Sequence, residues 1–247
     1  MIVFEGWPKQ MLFSEMSAKD ALKTTKERMS KYQDEFLERL TAIEVDAHWF
    51  RRVFHTFAAS FLFYYLLPEG ELMNDIKIVI PIILVLCISL VEYRRLRGVL
   101  NHQRFFGLRN YEKNRPASYL YFGFAVVLLF LFFPQQIAIP CILCASFTDP
   151  IIGETRYYLG KKKAYFIGFF VSLFFFLITW YQAEWWVLIP VSIIGATGAL
   201  VGEARKLRFI DDDFMIQMLP AILLWFVWQV TIAFNIHILP PKIILPI

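Results

Sequence analysis

Seven stretches of this chain are too apolar, for too long, to lie in water. They cover residues 49–67, 76–91, 118–133, 137–152, 164–181, 185–202 and 214–236. A membrane-crossing helix needs about 20 mostly apolar residues, within a range of about 17–25. Inside lipid every backbone N–H and C=O must find its partner within the segment, which a helix achieves and an irregular chain does not. The expected fold is therefore all-α, an integral membrane bundle of seven transmembrane helices. Composition agrees: 58% of the 247 residues are hydrophobic and 18% aromatic, with 26 Phe, where a soluble domain carries about 45–50% apolar residues. That balance excludes a disordered chain, a secreted disulfide scaffold and a soluble nucleic-acid binder. The partner implied first is the lipid bilayer; no nucleic acid is expected.

Charge sets the orientation. Of 25 Lys and Arg, 23 fall on one side of the seven-span plan: up to the start of the first span (Arg51 and Arg52 included), then after the second, fourth and sixth. Only Lys77 and Lys242 fall on the other. The positive-inside rule places the N-terminus and the basic loops in the cytoplasm. Residues 1–47 precede the membrane part as a polar segment in which Leu22, Met29, Phe36 and Ile43 recur every seven residues, predicting an amphipathic cytoplasmic helix. Residues 48–247 form the membrane domain. Cys87, Cys141 and Cys144 lie within apolar runs. The C-x-x-C spacing of the last two has no second pair and no nearby His, so helix packing is the plain reading.

Ionisable residues at the bilayer are costly, so their positions are informative. They gather at the cytoplasmic span ends. Arg51, Arg52 and His55 open the first span, with Arg51 and His55 one turn apart on one face. Glu92 with Arg95, and Arg109 with Glu112, are i,i+3 pairs of opposite charge in the loop after the second span; read plainly, they are salt-bridged loop residues, and read functionally, guanidinium forks for phosphate. The fourth span closes on Asp149, Gly153 and Glu154, followed by Gly160, Lys161 and Lys162. Asp and Glu are the hard oxygen ligands that Mg²⁺ takes beside substrate phosphates. Gly at 153 and 160 admits close backbone approach to phosphate. The sixth span carries small residues at 195, 198 and 202 and ends on Glu203. Asp211, Asp212 and Asp213 precede the seventh, which contains Pro220. One carboxylate suffices to cap a helix; three suggest a metal–nucleotide site.

In this order the fragments resemble the CTP-dependent polyprenol kinase family, which includes dolichol kinase, phytol kinase and CTP-dependent diacylglycerol kinase. The resemblance is carried by Arg51-Arg52-Val53-Phe54-His55, by Glu92-Tyr93-Arg94-Arg95, and by Arg109-Asn110-Tyr111-Glu112. It continues through Asp149, Gly153, Gly160 and Lys161, and then through Glu203, Asp211, Asp212, Asp213 and Pro220. It spans residues 49 to about 225. Two departures stand out: Thr148 replaces a Gly, and the Lys-x-x-Glu-Gly-Ser element after the Gly-Lys turn is absent. The resemblance implies transfer of the γ-phosphate of CTP to the hydroxyl of a polyprenol, prenol or diacylglycerol at the cytoplasmic face. On that expectation Asp149, Glu154, Asp211 and Asp212 hold Mg²⁺, while Arg51, Arg52, Arg95, Arg109, Gly153, Gly160, Lys161 and Lys162 hold nucleotide phosphates. His55, or whichever of Asp149, Asp211 and Asp212 does not hold metal, takes the hydroxyl proton; Glu92, Glu112, Glu203, Asp213 and Pro220 support the site.

Two rival readings differ in kind. A CDP-lipid synthase would move the cytidylyl group of CTP onto a lipid phosphate. A non-enzymatic lipid transporter or scaffold would use the acidic rim only to cap helices, and predicts polar residues near mid-membrane, where only Ser60, Ser89, Ser172 and Gln229 fall. The membrane expected is a prokaryotic cell membrane or, in a eukaryote, the endoplasmic reticulum. A homo-oligomer is compatible with the sequence.

Overall fold

The computed structural model describes residues 47–100, 108, 112, 114–205 and 210–247, with Glu27 and Ser30–Tyr32; of Ala47–Arg51 it gives the backbone alone. Contacts divide the chain into Met1–Asp46 and Ala47–Ile247. In the first unit, Glu27 and Ser30–Tyr32 are helical and exposed. The heptad positions Leu22, Met29, Phe36 and Ile43 lie outside the described residues, as do Arg109 and the side chain of Arg51.

The second unit is a helical bundle with no strand among its described residues. Helix α1 (Ala47–Phe57) runs directly into a 3₁₀ helix, Ala58–Leu66, and α2 spans Glu71–Leu96. Helices α3 (Ser118–Phe132) and α4 (Gln135–Leu143) follow, then a single π turn, Cys144–Thr148, and α5 (Asp149–Leu159). The last three are α6 (Lys161–Thr179), α7 (Trp185–Ala204) and α8 (Asp212–Ala233). Among the described residues, five stretches are long and apolar enough to cross a membrane: Glu71–Leu96, Gln135–Leu159, Lys161–Thr179, Trp185–Ala204 and Asp212–Ala233. Ser118–Phe132 is apolar but shorter. The architecture is thus that of a helical membrane bundle.

Burial ranks the helices. The α4–α5 stretch has 67% of its apolar window inside the protein, against 17% for α2. The former is the central post. It packs on the 3₁₀ helix, α3, α6 and α8, whereas α2 leans on α3. The closest packing is at α7, where small residues do the work expected of them. A Cβ on Gly198 would meet the Pro220 backbone of α8 at 2.9 Å, and one on Gly202 the Met215 carbonyl at 2.4 Å. The third member of the ridge turns elsewhere: Gly195 faces the Phe176 ring of α6 at 2.5 Å.

Pro150 explains the π turn. Its ring has no N–H to donate and crowds the carbonyl four residues back. The helix widens to relieve this, and Asp149 N–H bonds to the Cys144 carbonyl, five residues earlier. Such single π turns recur at functional sites because they re-aim the side chain that follows. Here that side chain is Asp149.

After α8 the chain continues without helix or strand as a strap over 235–247. Gln136 Nε2 donates to the Pro240 carbonyl (2.7 Å), and Gln135 exchanges two bonds with Ile244. Ile247 N–H reaches the Leu66 carbonyl at 3.0 Å, and Lys242 pairs with Glu69 at 3.0 Å. The Lys242 ammonium holds the Glu69 carboxyl below its ordinary range.

Candidate functional site

The acidic centre is assembled by four elements at one end of the bundle. His55, from the last turn of α1, is buried; Asp149 follows the π turn and Asp213 lies in the first turn of α8. His55 Nδ1 is 3.8 Å from Asp149 Oδ2, and its Nε2 is 3.8 Å from Asp213 Oδ2. The imidazole therefore lies between two carboxylates at ion-pair range, beyond hydrogen-bond length. Phe122 of α3 fixes the ring from the side, edge to face, with centroids 5.4 Å apart.

Asp211, Asp212 and Asp213 bring one carboxylate oxygen each within 4.8 Å of the others, and a ligand atom from each of His55, Asp149 and Asp213 does the same. Asp211 occupies the N-cap position of α8, yet its side chain makes no cap bond. Its backbone carbonyl instead receives Phe214 and Met215 N–H. Capping therefore does not account for the three carboxylates. Like charges about 4 Å apart repel by roughly 4 kcal/mol at an effective dielectric of about 20. The donor set, carboxylate oxygens with one imidazole, suits a hard divalent cation.

Glu203, at the end of α7, is buried, with the charges of Asp149 and Asp212 bearing on it. Arg156 of α5 compensates, its Nη2 donating to Glu203 Oε1 at 2.8 Å and to Tyr165 Oη at 3.2 Å. Arg156 and Lys161 both lie over the Tyr165 ring, at 5.3 and 5.8 Å. Lys161, Lys162 and Lys163 occupy the first turn of α6 and are exposed. Cations there oppose the helix dipole, so they do not serve helix stability.

Three expected ligands are engaged with protein partners in the structure. Glu154 pairs with Arg52. Five helical residues separate it from Asp149, which turns it about 140° away. Arg52 is engaged in that same pair. Arg95 is buried, and its side chain is committed to protein. Nε and Nη2 donate to Glu92 at 2.7 and 2.5 Å, Nη1 to the Glu112 carbonyl at 3.0 Å, and Nη2 also to the Arg115 carbonyl at 2.8 Å. Glu92 further accepts Ala117 N–H at 2.7 Å and the Tyr119 hydroxyl. Glu112 accepts Ser118 N–H and its hydroxyl. Two remote carboxylates thus satisfy the first N–H groups of α3, where negative charge is favoured.

Gly160, too, has a structural duty. At φ +81° its N–H caps the Arg156 carbonyl (3.2 Å) and turns the chain into α6, the usual task of glycine after a helix. Gly153 lies within α5 with open space where a Cβ would go, so no close approach requires it. Pro220 lies inside α8 against Gly198, away from the carboxylates.

Sequence reasoning under-rated Asp213 and passed over Arg156, Tyr165 and Phe122. Asp212 and Asp213 are both buried in the first turn of α8, and Asp213 is the one that faces His55. No family model matches the chain, and no curated protein or solved structure matches it either.

Proposed function

We propose that the chain is a seven-span membrane lipid kinase, with its N-terminus and acidic centre on the cytoplasmic face, that transfers the γ-phosphate of CTP to a lipid alcohol. The observation that carries this reading is a buried imidazole held between two carboxylates, with further carboxylates beside it, at the end of apolar helices. A water-soluble nucleotide reaches that end from solvent, and a lipid hydroxyl reaches it from the bilayer. The first span is completed by the 3₁₀ helix and the third by the short α3, and the lysine and arginine asymmetry orients the whole.

Phosphoryl transfer depends chiefly on positioning and charge neutralisation. The alcohol oxygen bonds to the γ-phosphorus as the bond to the bridging oxygen breaks and CDP leaves. His55 takes the hydroxyl proton at one ring nitrogen while the other faces a carboxylate, which stabilises the imidazolium formed. Lys161 and Lys162 meet the nucleotide phosphates. Arg156 holds Glu203 in register with the centre. Asp149, Asp211, Asp212 and Asp213 would hold Mg²⁺, which when bound neutralises phosphate charge.

The test uses the purified full-length protein with Mg²⁺, a lipid extract containing prenols, diacylglycerol and phosphatidate, and CTP labelled at the α- or γ-phosphate. Label in the organic phase from the γ position alone is the expected result. Label from the α position identifies a CDP-lipid synthase. Movement of neither label overturns the enzyme reading in favour of a transporter or scaffold.

A further inference from the structure

Helix α6 begins with three lysines, and helical winding sends them to different sides. Lys161 lies within about 20° of Gly168 and Ser172, the row that packs inward. A Cβ on Gly168 would meet Ile152 of α5 at 2.4 Å, and Ser172 Oγ bonds to Thr148 Oγ1 of the π turn at 3.2 Å. Lys163 lies on the opposite side, within about 20° of Phe170 and Phe174. Lys163, Phe166, Phe170 and Phe174 are all exposed. Lys163 has no ion-pair partner among the described residues, and a cation at that end of a helix is unfavourable to the helix itself.

Below Lys163 this outer side is concave. Phe166, Ile167, Phe170, Val171 and Phe174 line a hollow of about 330 Å³. The Phe166 and Phe170 rings meet at 67° with centroids 4.8 Å apart and form one wall. From Lys163 to Phe174 the helix rises about 16 Å, and one leaflet of a bilayer offers about 15 Å of hydrocarbon. Helix α6 is long and apolar enough to cross a membrane, which sets its lysines at headgroup level. The exposed Tyr157 and Tyr158 just before it are residues suited to that level.

An apolar hollow one leaflet long, with a cation at its head, matches a molecule that has an anionic head and an acyl chain. A soluble anion would leave the hollow empty, and a neutral hydrocarbon would leave Lys163 unmatched. A second copy of this face, related by a two-fold axis along the membrane normal, would set Lys163 against Lys163.

We propose that Lys163 and the hollow along α6 bind one anionic phospholipid of the bilayer, its phosphate on the ammonium and an acyl chain against Phe170 and Phe174. The site lies on the side of α6 turned away from α5 and the π turn. It stands independently of the reaction proposed for the acidic centre.

The experiment counts lipids. Delipidated full-length protein in detergent is titrated with dioleoylphosphatidylglycerol or dioleoylphosphatidylcholine, and bound lipid per chain is read by native mass spectrometry. The wild type is expected to bind its first phosphatidylglycerol about fivefold more tightly than phosphatidylcholine, the preference that one lysine near an anionic headgroup supplies. In Lys163→Gln the ratio falls to near one. In Lys242→Gln, which removes the same charge from the strap, the ratio stays. Phe170→Ala weakens both lipids by a similar factor and keeps the ratio, because the acyl chain loses a wall. Neither Lys163 nor Phe170 is buried, so both variants should melt as the wild type does. Equal affinities in the wild type, a ratio that survives Lys163→Gln, or undiminished affinity in Phe170→Ala overturns the site. A lipid-free dimer that Phe170→Ala dissociates overturns it in favour of a second copy of the chain.

Discussion

Two groups of charged residues are buried at the ends of these helices, and they are built on opposite principles. In the Glu92–Arg95–Glu112 clasp, every nitrogen of the guanidinium donates to protein, and both carboxylates also accept from the start of α3. Around His55, by contrast, Asp149, Asp211, Asp212, Asp213 and Glu203 collect with Arg156 as the compensating side chain on Glu203. A buried ion pair in good geometry organises a chain; breaking it strands a charge. A cluster of carboxylates around an imidazole is the kind of arrangement found where a cation or a reaction needs it. The contrast separates a structural network from a chemical one, although both look alike as charged residues at span ends.

Breaking each group should therefore cost different things. The largest effect is expected for Asp213→Asn, which should lower label transfer by about 10³-fold, roughly 4 kcal/mol of transition-state stabilisation. The same variant should change Tm little, since Asn keeps the shape and polarity of the side chain. A large drop in Tm would place Asp213 with the structural residues. Arg95→Ala should do the converse by stranding Glu92, destabilising the fold by about 3–5 kcal/mol. The double variant Glu92→Gln/Arg95→Met should cost less than Arg95→Ala alone, because no charge is left without a partner. A double variant as unstable as the single one would show that packing rather than charge holds the clasp.

Gly202→Ala probes the frame that brings Glu203 to the acidic centre. A methyl meeting the Met215 carbonyl at 2.4 Å must push α7 away from α8, at about 1–3 kcal/mol, and transfer should fall further than stability. Equal losses would mean that helix spacing does not set the site. The smallest effect belongs to an exposed pair that resembles neither group, Lys242 with Glu69. Because Lys242 lowers the Glu69 carboxyl, the contribution is complete above the unfolded carboxylate range and disappears as pH falls through the folded value. Lys242→Ala should abolish that dependence and leave transfer intact. A Lys242→Ala protein whose thermal stability follows pH as the wild type does would assign it to another carboxylate.

Much of the frame was legible from hydropathy alone, since each apolar run falls on a helical element. The first run was less so. It reads as one span but divides into an α helix and a 3₁₀ helix at Phe57–Ala58, a change of winding that apolarity does not encode. The site was legible as a set of residue types but not as a set of partners. The Glu92/Arg95 spacing announced an ion pair, yet nothing in it shows that loop carbonyls from Glu112 and Arg115 complete the guanidinium. Asp149 and Glu154 look equivalent as hard ligands in the sequence; helical geometry sends one to His55 and the other to Arg52.

The strap over 235–247 has a consequence for the order in which this molecule is built. Its bonds join residues 104, 109 and 173 positions apart, and it follows every helix in chain order. Contacts so distant in sequence form late, after the loop-closure entropy has been met by other packing. The helices must therefore insert and associate while the 3₁₀ helix and the head of α4 still lack these partners. The final event is a latch: Gln135 and Gln136 are matched only when the last helix is in place. A bundle stalled before that point presents the Gln135 and Gln136 amides without these partners.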